Sequence, residues 1–149
     1  TYLVPMLHRA ASRANINLII ERISDEDNIN RVLNSVATVP VILALPDSTL
    51  YSVENLRNIL VTTYRHNQPI IGFSTSLVKA GALASAYSSI EDIVAQLDEL
   101  INEVTVSGRI PEPQFPKYFS VAINDSVAKS LNLVIDDSVR ALSRQPEPR

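Results

Sequence analysis

The sequence predicts an α/β domain built on a mostly parallel sheet, and three observations lead there. Helical and strand-like patterns alternate from Tyr2 to Glu103, the order that places crossover helices between parallel strands. Three short stretches, Val41–Leu45, Pro69–Phe73 and Gly81–Ser85, are apolar or small almost throughout, as strands covered on both faces are. Each of them leads into small polar residues: Pro46-Asp47-Ser48-Thr49, Ser74-Thr75-Ser76, and Ala86-Tyr87-Ser88-Ser89. Right-handed crossovers would then give a three-layer sandwich with helices on both faces.

The first helix spans Tyr2 to Asn15, where Leu3, Met6, Leu7, Ala10, Ala11 and Ala14 recur at three- and four-residue spacing and form one apolar stripe. Asn17 to Ile23 is short and rich in Leu and Ile, which favours a strand. Ser24 reads as the cap of a second helix, with Asp25, Glu26 and Asp27 in its first turn, where the helix dipole favours acids. Ile29, Val32, Leu33 and Val36 make that helix's inner face.

Val39 to Leu45 is the next strand, and Pro46 ends it. Ser52 caps a third helix with Glu54 in its first turn; Leu56, Ile59, Leu60 and Thr63 supply the inner face, and His66-Asn67 stops it before Pro69 opens the following strand. Ser74 to Ala80 is a short helix closed by Gly81, at the left-handed position glycine takes at little cost. Ala82 to Ala86 is a strand of small residues, which lets backbone or ligand approach closely.

Ser88-x-x-Glu91 has the spacing of a capping box. Behind it Ile90, Ile93, Val94, Leu97, Leu100, Ile101 and Val104 share one helical face. After Gly108, the prolines at 111, 113 and 116 make a stiff extended crossing. Tyr118 to Ile123 alternates like a strand, Asn124 to Asn132 is a short helix, and Asp136 to Leu142 is a further turn or two. The tail from Gln145 to Arg149 is expected to be mobile. The domain reading is an α/β lobe over 1–108 followed by a crossing and closing part over 109–149.

Composition narrows the function. At 149 residues, 46% hydrophobic and 19% charged, the chain suits one globular domain. A net charge of -3 gives no basic footprint for nucleic acid. The absence of cysteine excludes disulfides, zinc–thiolate sites and a thiol nucleophile. No apolar run approaches the length that spans a bilayer, and the first residues do not read as a signal peptide. A start at Thr1 suggests a processed product or an excised fragment.

In an open parallel sheet, ligands sit outside the carboxyl ends of the strands. Three strand ends carrying hydroxyls and a carboxylate would line one crevice there. Asp47 would accept a proton from a ligand's ammonium or hydroxyl, with Ser48 and Thr49 adding hydrogen bonds; equally, Pro-Asp-Ser is ordinary turn chemistry. Ser74 and Thr75 precede a helix start whose free N–H groups favour an anion, and a serine there also serves simply as a cap. Ser85 and Tyr87 would close the crevice from the third strand, although a tyrosine also suits a core with its hydroxyl at the edge.

His8 and His66 sit on different helices, and no His or acidic residues occur at metal-ligand spacing. With glycine only at 72, 81 and 108, there is no P-loop, no dinucleotide fingerprint and no nucleophile elbow. No cofactor, metal or catalysis is expected. A response-regulator receiver domain fails on spacing: Asp25 to Asp47 covers 22 positions with one helix, too few for two helices and a strand.

Pro46-Asp47-Ser48-Thr49-Leu50-Tyr51, Tyr64-Arg65-His66-x-x-Pro69-Ile-Ile-Gly72-Phe73-Ser74, Val78-Lys79-Ala80-Gly81-Ala82-Leu83 and Tyr118-Phe-Ser-Val-Ala-Ile-Asn124, taken in order, resemble the second half of bacterial ABC-transporter substrate-binding proteins, the group that includes tryptophan-binding lipoproteins. The resemblance implies a Rossmann-like lobe of a type I periplasmic binding protein. It places the other lobe, and a strand before the first helix, upstream. It also implies an extracytoplasmic protein, periplasmic or membrane-anchored, that closes on a small polar or zwitterionic solute and hands it to an ABC permease. The same fold serves as a sensing module coupled to a signalling partner, which is the alternative. Carried over by motif, Asp47, Ser48, Thr49, Ser74, Thr75 and Ser85 would face the cleft. Two positions depart from the pattern: Asn132 stands where glycine is usual, and Ile90-Glu91-Asp92 where small residues are usual. The isolated lobe would have an open sheet edge through which to form a homodimer.

Overall fold

Among the described residues, four strands form a single sheet in the order β1-β2-β3-β4: β1 (Ile42–Leu43), β2 (Ile70–Gly72), β3 (Ala84–Tyr87) and β4 (Ser120–Ile123). The first three run parallel, and β4 pairs antiparallel with β3. This computed structural model describes residues 3–24 and 27–142. Seven helices are described: α1 (Leu3–Arg13), α2 (Ile29–Ser35), α3 (Val53–Arg65), α4 (Thr75–Ala80), α5 (Ile90–Ser107), α6 (Asp125–Ser130) and α7 (Asp137–Arg140). The alternating, mostly parallel α/β architecture read from the sequence is the observed one.

Local chemistry explains the boundaries. Ser52 Oγ accepts from the Asn55 N–H at the start of α3, and Ser74 Oγ accepts from Leu77 N–H at the start of α4, each satisfying a donor the helix leaves free. Asn15, Asn67 and Asn132 take left-handed backbone (φ 54°, 55° and 52°) just beyond α1, α3 and α6, a conformation open to asparagine at low cost. Gly81 (φ 133°) closes α4.

The core lies on the face of the sheet that carries α2, α3 and α4. Leu33, Ala44, Ile59, Ile70, Leu77 and Ala82 form one buried cluster, with Ile42, Leu56, Leu60 and Phe73 packed against it. Gly72 is what lets α4 sit so close to β2. A Cβ there would lie 2.7 Å from Leu77 Cδ2. Buried polar groups are paired: Thr63 Oγ1 donates to the Ile59 carbonyl, and Gln68 Nε2 donates to the carbonyls of Val36 and Val39. Gln68 thus ties the end of α2 to the start of β2.

Beyond α5 the chain doubles back along the helix. Gln96 Oε1 accepts from Lys117 N–H while Gln96 Nε2 donates to the Phe115 carbonyl, and Glu99 takes both Lys117 Nζ at 2.6 Å and the Tyr118 hydroxyl. Asn124 then fixes β4 to α4. Its side chain donates to the Val78 carbonyl at 2.9 Å and accepts from Val127 N–H at the start of α6.

Several expectations are corrected. Residues 17–23 are not a strand: no backbone hydrogen bond to any described residue is made there, and a strand exists only by pairing. The cap of α2 is Asn28, whose side chain accepts from Asn30 and Arg31 N–H, while Ser24 instead donates to Asp27 through both its N–H and its hydroxyl. The capping box of α5 is Ser89 with Asp92, one residue later than the Ser88–Glu91 spacing suggests. Ser88 is otherwise engaged, donating to the Tyr118 carbonyl at 2.7 Å. The apolar face of α5 is left open, with Ile93, Val94, Leu97 and Ile101 all about half exposed or more. The C-terminal tail from Gln145 lies outside the described residues, as do Tyr2, Asp25 and Glu26.

A candidate ligand site at the strand ends

Register brings three chain segments to one rim. Leu43 pairs with Ile71, Ile71 with Ala84, and Gly72 with Ser85, so parallel β1, β2 and β3 all end on the same side of the sheet. Two residues past the last of these pairs stand Ser74 and Tyr87, level with one another. Tyr87 in turn pairs with Ser120 at the amino end of β4, because an antiparallel strand starts where its neighbours finish. The rim is therefore made by the loop after β1, the start of α4, the end of β3 and the start of β4.

Asp47, Ser48 and Thr49 are exposed on the loop after β1. The Asp47 carboxylate accepts from Thr49 N–H at 3.0 Å and Leu50 N–H at 2.8 Å through one oxygen, Oδ1. The turn chemistry is thus real. It occupies Oδ1, and the carboxylate has lone pairs for another donor as well. Ser74 and Thr75 are half-buried at the start of α4, Ser74 as its cap. Ser85 lies one level below the rim, 1% exposed, its hydroxyl donating to the Ala86 carbonyl at 3.2 Å. Tyr87 is half-buried at the end of β3.

Two aromatic residues join these that sequence reasoning did not place here. The rings of Tyr51 and Phe73 meet edge-to-face with centroids 5.3 Å apart, a favourable arrangement for aromatic quadrupoles. They bridge the loop after β1 to the end of β2. Burial pushes the Tyr51 phenol above its ordinary range, and the negative charge of Asp47 adds to the shift. The signal was present in Tyr51 lying one helical turn beyond Asp47, its N–H donating to the Asp47 carbonyl at 3.0 Å, and in Phe73 closing the apolar stretch of β2.

The rim is open rather than enclosed. Two shallow grooves, of about 430 Å³ and 470 Å³, lie elsewhere, one beside Tyr64, Pro69 and Leu131 at the opening end of β2 and one between α5 and residues 110–114. A rim of this kind can offer a carboxylate and hydroxyls to one side of a small ligand, with the Tyr51–Phe73 pair packed on the core beside them, leaving the other side to be covered from outside. Among the described residues, no group of three or more His, Asp or Glu side chains is placed to hold a metal ion. None of the described helices is long and apolar enough to cross a membrane.

No protein-family model matches the chain, and no curated protein matches it. Solved structures do match. A conserved domain protein from Vibrio cholerae aligns at TM-score 0.67 and 24% identity, over 94% of this chain and 48% of its own length. An ABC domain from Streptococcus pneumoniae in complex with L-Trp aligns at TM-score 0.64 and 20% identity, over 95% of this chain and 48% of its own. A ligand-free, open substrate-binding protein with adhesive properties from Clostridium difficile aligns at TM-score 0.66 and 15% identity, over 89% and 45%. The chain has the fold of one half of these proteins, and spans about half their length.

Proposed function

We propose that this fold, one lobe of a periplasmic-binding-protein architecture, serves here as half of a solute-binding protein. Its ligand is a small polar or zwitterionic molecule of amino-acid type, held against the rim formed by Asp47, Ser48, Thr49, Ser74, Thr75 and Tyr87, with the Tyr51–Phe73 pair packed on the core beside it. Ser85 would support the rim from beneath. The observation that carries the reading is the alignment of 95% of this chain with 48% of a structure that holds L-Trp: a half-length match supports a ligand gripped between two lobes, and the open rim is the surface such a grip needs. Binding would then proceed by hinge closure with no chemistry. Delivery to an ABC permease on the outer side of the membrane follows from the same reading.

The test is thermal melting of the complete encoded protein against amino acids, small peptides, sugars and nucleosides. A ligand at 100 times its Kd adds roughly 2.7 kcal/mol, a shift of several degrees. Asp47→Asn keeps the oxygen that accepts from Thr49 and Leu50 but loses the charge. It should leave the unliganded melting point within about 2 °C, since a neutral turn acceptor remains, while weakening binding of the best ligand at least about tenfold. Wild-type affinity in Asp47→Asn would remove Asp47 from the site. No shift with any compound would overturn the solute-binding reading in favour of an interaction or sensing role.

A further inference from the structure

We propose that the Tyr51–Phe73 ring pair is a fixed spacer between the two halves of the rim, Asp47 to Thr49 on one side and Ser74 with Thr75 on the other, and so decides which solutes fit. The inference rests on the solute-binding reading above. It gives the pair a positioning role, behind the groups that touch the ligand. Each ring stands next to one half. Tyr51 closes the turn that holds Asp47: its N–H donates to the Asp47 carbonyl at 3.0 Å, while Thr49 and Leu50 N–H both donate to Asp47 Oδ1. Phe73 directly precedes Ser74, the cap of α4. The two rings meet edge-to-face at 5.3 Å and 67°, and both pack against the buried core.

The rest of the loop gives no such link. Every hydrogen bond of residues 46–52 ends within that loop or on α3, where Asn55 Nδ2 donates to the Thr49 carbonyl at 3.2 Å. The register of β1 with β2 has ended by then: its last pair is Leu43 with Ile71, and Ala44 N–H adds one bond to the Ile71 carbonyl. A loop hydrogen-bonded only towards α3 is free to tilt on its β2 side. Two rings in contact do not compress, and the edge-to-face preference fixes their angle. The far end of the spacer is firm as well, because Leu77 of α4 lies in the core and against Gly72. The Asp47 charge reaches the Tyr51 phenol, which burial first and that charge second push above its ordinary range; carboxylate and ring therefore move together. A binding constellation discriminates only while its groups are held within about 0.5 Å. Holding them in advance favours the solute that matches, with no added contact to it.

The test uses the complete encoded protein with Tyr51→Leu, Phe73→Leu, both together, and Tyr51→Phe, which keeps the ring. Amide exchange by NMR without ligand reads the coupling. Tyr51→Leu should speed exchange of Leu77 N–H, which Ser74 Oγ accepts, and Phe73→Leu that of Thr49 and Leu50 N–H, each about tenfold. Amides of α5 should not change, and Tyr51→Phe should match wild type. Exchange that rises only on the mutated side, or rises throughout the protein, would overturn the spacer. Calorimetry with L-alanine, L-leucine, L-phenylalanine and L-tryptophan reads the consequence. Each single leucine variant should weaken the preferred amino acid about fivefold to tenfold and cut its preference over the next at least about threefold. The double variant should lose no more than a single one, since the pair is removed only once. Additive losses, or an equal loss for all four amino acids, would overturn the role in selection. A wild-type protein that binds none of the four overturns the solute-binding reading itself, and coupled exchange in that protein tells this failure from a failure of the spacer.

Discussion

Replacing Gln68 by glutamate changes one amide nitrogen into an oxygen, at a cost that should grow with pH. Gln68 is 3% exposed, and its Nε2 donates to two carbonyls, those of Val36 and Val39, while Oε1 faces His66 Nδ1 at 3.3 Å. Each hydrogen bond contributes about 1 kcal/mol net; the Val36 carbonyl keeps the Val39 N–H as a donor, while a buried carbonyl left without one, as that of Val39 would be, costs about 1–3 kcal/mol. Gln68→Leu should therefore lose about 2–4 kcal/mol, or roughly 4–12 °C for a domain of this size. In Gln68→Glu a carboxylate would face two carbonyl dipoles in a dry site, and burial would raise its folded pKa above the unfolded value of about 4.3. Between those two values the folded state binds more protons than the unfolded one, so stability falls as pH rises. The glutamate variant should be within about 2 kcal/mol of wild type at pH 4.5, where its OH can still donate to one carbonyl, and at least about 3 kcal/mol worse at pH 8. Urea denaturation of both variants and wild type at the two pH values measures this. A Gln68→Glu penalty that does not grow with pH would refute the assignment of Gln68 as a buried two-carbonyl donor.

Three further outcomes follow from the packing. Gly72→Ala should cost about 1–3 kcal/mol because its methyl meets Leu77; in a Leu77→Ala background the added cost should fall toward zero, and an equal cost in both backgrounds would locate the conflict elsewhere. Asn124→Ala loses both a helix cap and the bond to Val78, about 2 kcal/mol, whereas Asn124→Asp keeps the cap and should lose about half of that by denaturant melting; identical losses would argue against the two roles. The tyrosine signal that disappears in Tyr51→Phe should titrate above the ordinary range near 10, and in Asp47→Asn it should move back downward. Stability from this buried phenol is complete below pH 10 and is lost as pH climbs through the raised value; a Tyr51 signal titrating at or below about 10 would contradict the packing.

Where local chemistry decides structure, the sequence was readable. Ser52, Ser74, Gly81, Gly108 and the left-handed asparagines act through their own backbone or a neighbour's, and they fall where their residue types suggest. The rim was legible for a similar reason: strand ends are marked by abrupt change from apolar to small polar residues. What escaped was decided by neighbours distant in the chain. Residues 17–23 have a strand's composition and no partner to pair with. The seven apolar positions of α5 have a buried face's spacing, and their exposure depends on what covers them rather than on the helix. Ser88 lost the cap position to Ser89 because Tyr118, thirty residues away, offered its carbonyl. Tyr51 and Phe73 are 22 positions apart, and their meeting depends on the tilt of one loop.

The doubling-back after α5 also works as a ruler. From Gly108 back to Gln96 the helix covers 12 residues, about 18 Å at 1.5 Å each. The return from Gly108 to Phe115, whose carbonyl the Gln96 amide holds, has seven residues and reaches about 22 Å in the extended form that prolines enforce. The slack is about 4 Å, little more than one residue. Since Tyr118 and Ser120 must arrive in step to pair with β3, the length of α5 and the length of the proline segment cannot vary separately: an extra helical turn, about 5.4 Å, calls for roughly two more residues on the way back. Two residues removed from the segment would pull β4 out of register and carry the start of that strand away from the rim.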